Sequence, residues 1–463
     1  MKKRFAICST IVLLLLLSAC GAPQTLDFSY APEGEELSSL MVETSQTHRA
    51  ELEHVPSAAD FADAISDDPA SAGLLSESEV ESLLRGHAAM ETVSKEQAQS
   101  DVSLLFRTLQ SAYGAYEYFG QEKFDAAEDA VTQWLSSQDD EIKVSVLGEK
   151  LQESLAFMLA HDAHAVIYEP AAEEIEAQVR YKYFFADGFY FSKDVNGSYY
   201  MVNDGERWTL SSFSDEHVSV QPTLLKDGRI VYQPTLFALR KDAVQSSVTL
   251  KNSSGKAKIY RLDWTESQPL DVDLGTLDYR LIQEDGLTYV SLRSFVSGTY
   301  DNMLARYARE GAKARGSKAV IYDLRGNVGG SDSWPRKWIQ SFLGTQNSIE
   351  TSMLYAQKNS ALFAAENSES LLPEDEGTCF AREVHGTWYE NDIPIIVLVD
   401  DHCGSSGEGA VQLLKTLDNV LIVGSNTAGY QLCGNISTFT LPYTGIGVRF
   451  GSTLFLYGDG ENV

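Results

Sequence analysis

The chain has 463 residues, of which 43% are hydrophobic and 22% charged, which is typical of a globular protein with two or three domains. Asp and Glu number 66 against 36 Lys and Arg, so the formal net charge is −30. A surface this acidic argues against nucleic acid as a partner and against electrostatic docking on anionic lipid. No Cys/His spacing resembles a zinc site, and we expect neither a metal nor an organic cofactor.

Residues 1–19 have the order of a secretory signal peptide. Positive residues 2–4 precede an apolar stretch, residues 5–17, which is short for a membrane span of about 20 residues. Leu-Ser-Ala-Cys then ends at Cys20 and resembles the bacterial lipobox, in which this cysteine is acylated and becomes the first residue of the mature chain. A plain signal peptide or an N-terminal anchor helix is the alternative.

Three segments follow the leader. Residues 20–90 are acidic and rich in Ser, Ala and Pro, which predicts a tether with little buried surface. Residues 91–177 show apolar positions at helical spacing and are predicted to be helical. Residues 178–270 contain short β-prone runs between Asp-Gly, Asn-Gly and Ser-Gly turns, which predict a small β-rich module.

Residues 271–463 alternate between strand and helix patterns, which predicts an α/β domain with parallel strand pairing. The predicted elements are strand 286–295, helix 302–311, strands 318–324 and 393–400, helix 407–417 and strand 420–424.

Cysteines after Cys20 are too few for a disulfide framework. Only Cys379, Cys403 and Cys433 remain. One bridge with a leftover thiol, or three free thiols, are both compatible with the sequence.

Ser405 lies in a tight turn between the buried strand 393–400 and a helix that begins near Gly407. Backbone N–H groups at a helix N-terminus are unpaired and carry partial positive charge. That environment suits an alkoxide nucleophile and a neighbouring oxyanion. The alternative is an ordinary N-cap serine, with Glu408 favouring the helix dipole.

A glycine-containing loop, residues 325–330, follows the strand 318–324. Glycines there allow positive φ angles, and successive N–H groups can then form an anion-binding nest. A phosphate-binding loop is the competing interpretation, but no Gly-Lys-Ser/Thr follows.

Four motifs in order resemble the tricorn and carboxy-terminal-processing serine peptidases. They are Asp323 to Gly330, Ser405 to Glu408, Val423 to Gly429, and Leu441-Pro442. The resemblance implies a crotonase-like catalytic domain, with the β-rich module where many members have a PDZ domain. It also implies Ser405 as nucleophile and an oxyanion hole from the N–H groups of Ser406, Gly329 and Gly330.

The general base decides the branch of this family. The processing peptidases have a Lys 25 residues beyond the nucleophile, where this chain has Tyr430. A phenol keeps its proton at neutral pH, so Tyr430 is not expected to be the base. The tricorn branch uses a His after the helical region and a Glu near the C-terminus, which implies His164 and Glu461. His161 and His402 remain alternative bases.

Together these features predict a lipid-anchored serine endopeptidase on the extracytoplasmic face of the cell membrane, acting on peptides or unfolded proteins. A non-catalytic peptide- or ligand-binding lipoprotein on the same fold is the main alternative. It is favoured by the missing Lys, by Val328 where the family usually has Gly, and by a chain that stops at Val463 where members usually continue. A generic esterase is less consistent, because the Gly-x-Ser-x-Gly elbow is not met.

Overall fold

The computed structural model describes residues 37–65, 74–168, 182–186, 188–203, 205–225, 229–238, 246–266, 279–298, 301–367 and 379–458. The predicted signal peptide, Cys20 and Glu461 lie outside these residues. The described residues fall into two compact units, one within residues 37–42 and 182–266 and the other within residues 43–168 and 279–458. Within the described ranges, no helix has both the length and the apolar character that a membrane crossing needs.

The helical region precedes the β-rich segment. Its helices are α1 (Leu37–Glu53), a 3₁₀ turn (Ala62–Ile65), α2 (Glu77–Leu84), α3 (Lys95–Ala112), α4 (Tyr116–Phe119), α5 (Gln121–Ser136), α6 (Val144–Ser154) and α7 (Ala156–Leu159). Its short strands are β1 (Thr92–Ser94), β2 (Glu141–Lys143) and β3 (Val166–Tyr168), and β1 pairs with β2.

Capping and apolar spacing explain these helices. Ser94 caps α3 reciprocally with Gln97, because each side chain accepts the backbone N–H of the other residue. Within the helical spacing predicted for residues 91–177, Leu147 and Leu151 of α6 are fully buried. Part of the segment expected to be a tether is also ordered, since Leu83 of α2 is fully buried in the same core.

The β-rich segment forms two antiparallel sheets around its own core, which includes Trp208 and Phe191. One sheet has the order β11-β10-β7-β6-β5 and the other β12-β4-β9-β8. The strands are β4 (Lys182–Ala186), β5 (Ser192–Lys193), β6 (Tyr199–Asn203), β7 (Glu206–Phe213), β8 (Val218–Leu224), β9 (Ile230–Ala238), β10 (Ser247–Lys251), β11 (Ala257–Arg261) and β12 (Trp264–Glu266).

The C-terminal segment contains a mixed sheet of order β13-β14-β15-β18-β19, in which β14, β15, β18 and β19 run parallel. Its strands are β13 (Arg280–Glu284), β14 (Leu287–Ser291), β15 (Ala319–Asp323), β18 (Ile395–Val399) and β19 (Val420–Gly424). The helices are α8 (Asp301–Ala314), α9 (Ser333–Leu343), α10 (Ala361–Asn367) and α11 (Ser406–Leu414). The expected α/β class is therefore confirmed at the level of a mixed α/β fold.

A second sheet has the order β17-β16-β21-β20, and β3 also pairs with β21. Its strands are β16 (Met353–Lys358), β17 (Cys379–Val384), β20 (Cys433–Thr440) and β21 (Gly447–Tyr457). This sheet shares its hydrophobic core with the helical region, as the buried side chains of Leu105, Leu147, Leu354 and Phe450 illustrate.

Two features of this topology position the candidate site. The parallel strands β15 and β18 are neighbours, so the loops after their carboxyl ends meet at one edge of the sheet. The pairing of β3 with β21 brings the turn before β3 to the second sheet, with Val166 opposite Arg449.

Candidate active site

Ser405 lies at the corner between β18 and α11, as the sequence predicted. Its backbone has φ 54° and ψ −123°, a left-handed region that favours glycine. A non-glycine residue in such a region costs about 1–3 kcal/mol and persists only where its surroundings enforce it. In this turn the N–H of Cys403 donates to the Asp400 carbonyl, and the N–H of Gly407 donates to the Gly404 carbonyl.

Glu408 ties this corner to the loop before β20. Its carboxylate accepts the N–H groups of Ser405 at 2.9 Å, Gly429 at 2.7 Å and Tyr430 at 2.9 Å. The side chain is almost fully buried, and this burial raises the pKa of Glu408 although the hydrogen bonds, including one from Thr427, oppose the rise. Glu408 is therefore a shared anchor for two loops rather than only a helix-dipole partner.

The glycine loop after β15 packs directly against the Ser405 corner. The Asn327 carbonyl accepts the N–H of Gly404 at 2.9 Å, and its side-chain oxygen accepts the N–H of Gly329 at 2.9 Å. Gly329 has φ 93°, and a Cβ there would lie 2.6 Å from Ser405 Cβ and 2.9 Å from the Ser406 nitrogen. The close approach of the two loops therefore requires glycine at this position.

Two backbone N–H groups beside Ser405 remain available to an oxyanion. Those of Gly330 and Ser406 donate no hydrogen bond within the described part of the chain, and Ser406 begins α11. The Ser406 hydroxyl donates to the Gly330 carbonyl at 2.9 Å, which joins these two residues. The N–H of Gly329 already donates to the Asn327 side chain. Gly329 therefore allows the two loops to approach closely but does not supply a free N–H donor.

A buried carboxylate fixes the start of the glycine loop. Asp323 accepts hydrogen bonds from Arg325 at 2.9 Å, Arg293 at 3.1 Å and Tyr289 at 2.7 Å. Burial alone would raise the pKa of Asp323, but these hydrogen bonds and the charge of Arg293 outweigh it and lower the pKa well below its usual range. The Asp-Leu-Arg motif therefore has a structural role.

His164 lies in the turn before β3, where it is 7% exposed. Its Nδ1 lies 2.5 Å from the carbonyl oxygen of Cys433, which can only accept, so Nδ1 carries the proton and Nε2 is left as the acceptor. Burial lowers the pKa of His164 to about 4, and the charge of Arg449 adds to this although the Cys433 carbonyl opposes it. Asp162 accepts the backbone N–H of His164 rather than holding its ring.

The Tyr430 ring contacts both His164 and the turn before Ser405. Its ring centroid is 4.6 Å from that of His164, at an interplanar angle of 62°. On the Ser405 side, a Cβ at Gly404 would lie 2.7 Å from Tyr430 Cδ2, so the ring packs against this glycine. No hydrogen bond joins Ser405 and His164 in the described part of the chain. The turn before Ser405 and the imidazole of His164 both contact the Tyr430 ring.

Residues 286–462 match the model of peptidase family S41. This segment of the chain is therefore similar to that family. The match covers the two loops that form the Ser405 corner, and it confirms the resemblance to tail-specific and carboxy-terminal-processing peptidases that the four motifs indicated. The similarity of this segment is thus to serine peptidases.

Several solved structures are similar to the chain. Mature CPAF is 14% identical, with 80% of this chain and 90% of that chain covered and a TM-score of 0.42. The photosystem II D1 C-terminal processing protease is 14% identical, with 79% and 89% covered and a TM-score of 0.35. A lipoprotein from Streptococcus agalactiae is 15% identical, with 81% and 90% covered and a TM-score of 0.32. No protein of curated function matches the chain.

The alternative bases have different surroundings in the structure. His161 is exposed, its Nδ1 lies 2.9 Å from the Phe157 carbonyl, and its ring is near Phe119 of the helical region. His402 lies in the turn between β18 and Ser405, and its Nδ1 is 3.2 Å from Asp401 Oδ1. Unlike His164, neither makes a ring contact with Tyr430 among the described residues.

Asp400, Asp401 and His402 form the one His/Cys/Asp/Glu group of the described residues with ligand atoms close enough to hold a metal ion, within 4.8 Å of one another. Protein groups already occupy part of this cluster. One oxygen of Asp400 accepts the N–H groups of Gly326 and His402, and His402 pairs with Asp401. The Asp400 side chain thus joins the glycine loop to the turn before Ser405, through backbone N–H groups.

The cysteines Cys379, Cys403 and Cys433 are all free in the structure. Burial raises the pKa of the Cys403 and Cys433 thiols well above the usual value, which makes both poor nucleophiles.

Sequence reasoning missed two functional contacts. The bridging role of Glu408 had a signal, the Ser-x-x-Glu spacing of a capping box. The carbonyl of Cys433 had none, because every residue carries one and only the strand pairing brings this one to His164.

Proposed function

We propose that the chain is a serine endopeptidase in which Ser405 attacks a peptide carbonyl and His164 is the general base. The observation that carries this proposal is the Ser405 corner itself. A serine in a strained turn lies against Gly329, beside the undonated N–H groups of Gly330 and Ser406. Such donors stabilise the negative charge that develops on the carbonyl oxygen of the scissile bond.

Two properties of His164 suit the role of general base. Its tautomer leaves Nε2 as acceptor, and its lowered pKa keeps the ring neutral at physiological pH. The imidazole takes the Ser405 proton as the tetrahedral intermediate forms and returns it to the leaving amine. Because the single proton of the neutral ring already donates to the Cys433 carbonyl, an assisting role of Glu461 would have to act on another group.

A substitution series tests the pair. Ser405→Ala and His164→Ala should each abolish cleavage of an unstructured protein, and the double variant should be no worse than either single one, because a nucleophile without its base is nearly inert. His161→Ala and His402→Ala are matched controls and should keep activity. Circular dichroism checks folding. If His164→Ala keeps wild-type activity, one of the two control histidines is the base.

A non-catalytic binding protein is the second candidate. The observation in its favour is that no hydrogen bond joins Ser405 to His164 among the described residues. Purified wild-type protein that neither cleaves unstructured protein nor reacts with a fluorophosphonate probe would favour this candidate.

We also propose that Cys20 is acylated and that the mature protein is held at the extracytoplasmic face of the cell membrane. The support is the order of charge, apolar core and Leu-Ser-Ala-Cys in residues 2–20. A lipid on Cys20 would tether the peptidase without a membrane-spanning helix, and its substrates would then be exported peptides or unfolded proteins.

A further inference from the structure

Tyr430 is attached to the nucleophile corner through its backbone. The same Glu408 oxygen that accepts the Ser405 N–H also accepts the Tyr430 N–H, both at 2.9 Å. The neighbouring Gly429 N–H donates to the other oxygen at 2.7 Å. Glu408 is buried in α11, so a shift of the Tyr430 backbone and a shift of the Ser405 backbone are coupled.

The Tyr430 ring spans the gap between the turn and the imidazole. It lies over Gly404, where a side chain would collide with it, and it meets the His164 ring at an angle of 62°. Edge-to-face contacts between aromatic rings add stabilisation beyond the burial of apolar area. That stabilisation favours one ring orientation of the histidine by roughly two- to tenfold.

Other groups around His164 hold its backbone and one of its ring nitrogens. The Cys433 carbonyl holds Nδ1, and Arg449 Nε donates to the His164 carbonyl at 3.1 Å. Asp162 accepts the His164 N–H at 2.9 Å and also the Tyr113 hydroxyl at 3.0 Å. These contacts fix the backbone and one ring nitrogen, while rotation of the ring about that anchor is limited by its aromatic neighbour.

We propose that Tyr430 is a positioning residue, whose ring orients the His164 imidazole toward the Ser405 corner and keeps water from it. This proposal rests on the proposed Ser405–His164 pair. The aromatic ring is the functional element of this role, because the ring makes the contacts with His164 and Gly404.

Removal of the Tyr430 ring has two separable effects on His164, a loss of orientation and a change in pKa. At pH 7 His164 is mostly neutral whether its pKa is about 4 or the ordinary value of 6.5, so a loss of rate there reports lost orientation. Below pH 6.5 a hydrated His164 would become protonated, so the acid limb of the rate profile would move to higher pH. Lost orientation lowers kcat, whereas a damaged substrate site would mainly raise KM.

The experiment compares Tyr430→Phe, Tyr430→Leu and Tyr430→Ala, with Tyr443→Ala as a control at a half-exposed tyrosine. Two quantities are measured for each: kcat and KM from pH 4.5 to 8.5, and the pKa of His164 by NMR of histidine-labelled protein. Circular dichroism confirms folding, and the leucine variant serves if the alanine variant does not fold.

We expect Tyr430→Phe and Tyr443→Ala to keep kcat within about threefold and to leave the His164 pKa unchanged. Tyr430→Ala should raise that pKa by about one unit or more through hydration and lower kcat at pH 7 by roughly 10- to 100-fold. Tyr430→Leu keeps apolar cover, so its kcat should fall while the pKa of His164 stays low.

Different results overturn different statements. An unchanged His164 pKa in Tyr430→Ala, or an unchanged kcat in Tyr430→Leu, would refute the positioning role. Activity that survives His164→Ala or Ser405→Ala would instead refute the proposed catalytic pair. The NMR titration does not depend on activity, so it still decides whether the ring shields His164 in that case.

Discussion

Gly329→Ala tests the close packing of the glycine loop against the nucleophile. The added Cβ would lie 2.6 Å from Ser405 Cβ and 2.8 Å from the Gly404 carbonyl oxygen. Ordinary carbon contacts are about 3.5–4.0 Å, so one of the two loops must move by about 1 Å. A displacement of that size at a reacting group can cost about 100-fold in rate, or about 2.7 kcal/mol of transition-state stabilisation.

The matched control is Gly86→Ala. Gly86 has φ 77° against 93° for Gly329, so both alanines suffer comparable backbone strain, of about 1–2 kcal/mol. No atom lies within 4 Å of a Cβ built at Gly86, so this variant has the strain without the collision. The two variants therefore separate a general loss of stability from a displaced active site.

Two measurements decide the outcome. The rate of cleavage of an unstructured protein should fall about 100-fold for Gly329→Ala and less than about threefold for Gly86→Ala. Labelling by a fluorophosphonate should slow in parallel, and urea unfolding gives the free energy of unfolding of both. If Gly329→Ala labels and cleaves as fast as the control, then the contact between Gly329 and Ser405 does not shape the site.

Three further predictions follow from other parts of the chain. Cys20→Ala should lose the label of an alkyne fatty acid and leave the membrane fraction, and a variant that keeps both would refute acylation at this residue. Glu408→Gln keeps the shape of the side chain but cannot accept all three N–H groups. The free energy of unfolding, measured in urea titrations, should therefore fall by about 1–3 kcal/mol, and activity should fall with it. Unchanged values of both would contradict the anchoring role. His164 and His48 are buried and neutral, with pKa values lowered to about 4 and about 3, mainly by burial. The unfolded chain takes up these protons below pH 6.5, so stability should fall as the pH drops from about 6.5 toward 4, with His164 contributing about 2–3 kcal/mol by pH 4.5. His164→Gln should remove that part of the difference between pH 7 and pH 4.5, and an unaltered difference would show that His164 is not the source.

The sequence by itself determined the local elements of the segment that matches peptidase family S41. The strand predicted over 420–424 is β19 with the same bounds, and the buried run at 393–400 contains β18. These predictions succeeded because the spacing of apolar residues and the positions of glycines are local properties of each element's own sequence. The Ser405 corner and the glycine loop were visible for the same reason.

Only the tertiary structure decided how these pieces meet. The parallel pairing of β15 and β18 brings Gly329 against Ser405, and the pairing of β3 with β21 brings His164 to the Cys433 carbonyl. These pairings join residues 75 positions apart, Val320 with Ile395, and 283 positions apart, Val166 with Arg449. Pairing at such separations leaves no trace in local periodicity, and a backbone carbonyl has no signature in the sequence. The ring of Tyr430 between the two halves, and the Glu408 carboxylate that holds its backbone, follow from this packing alone.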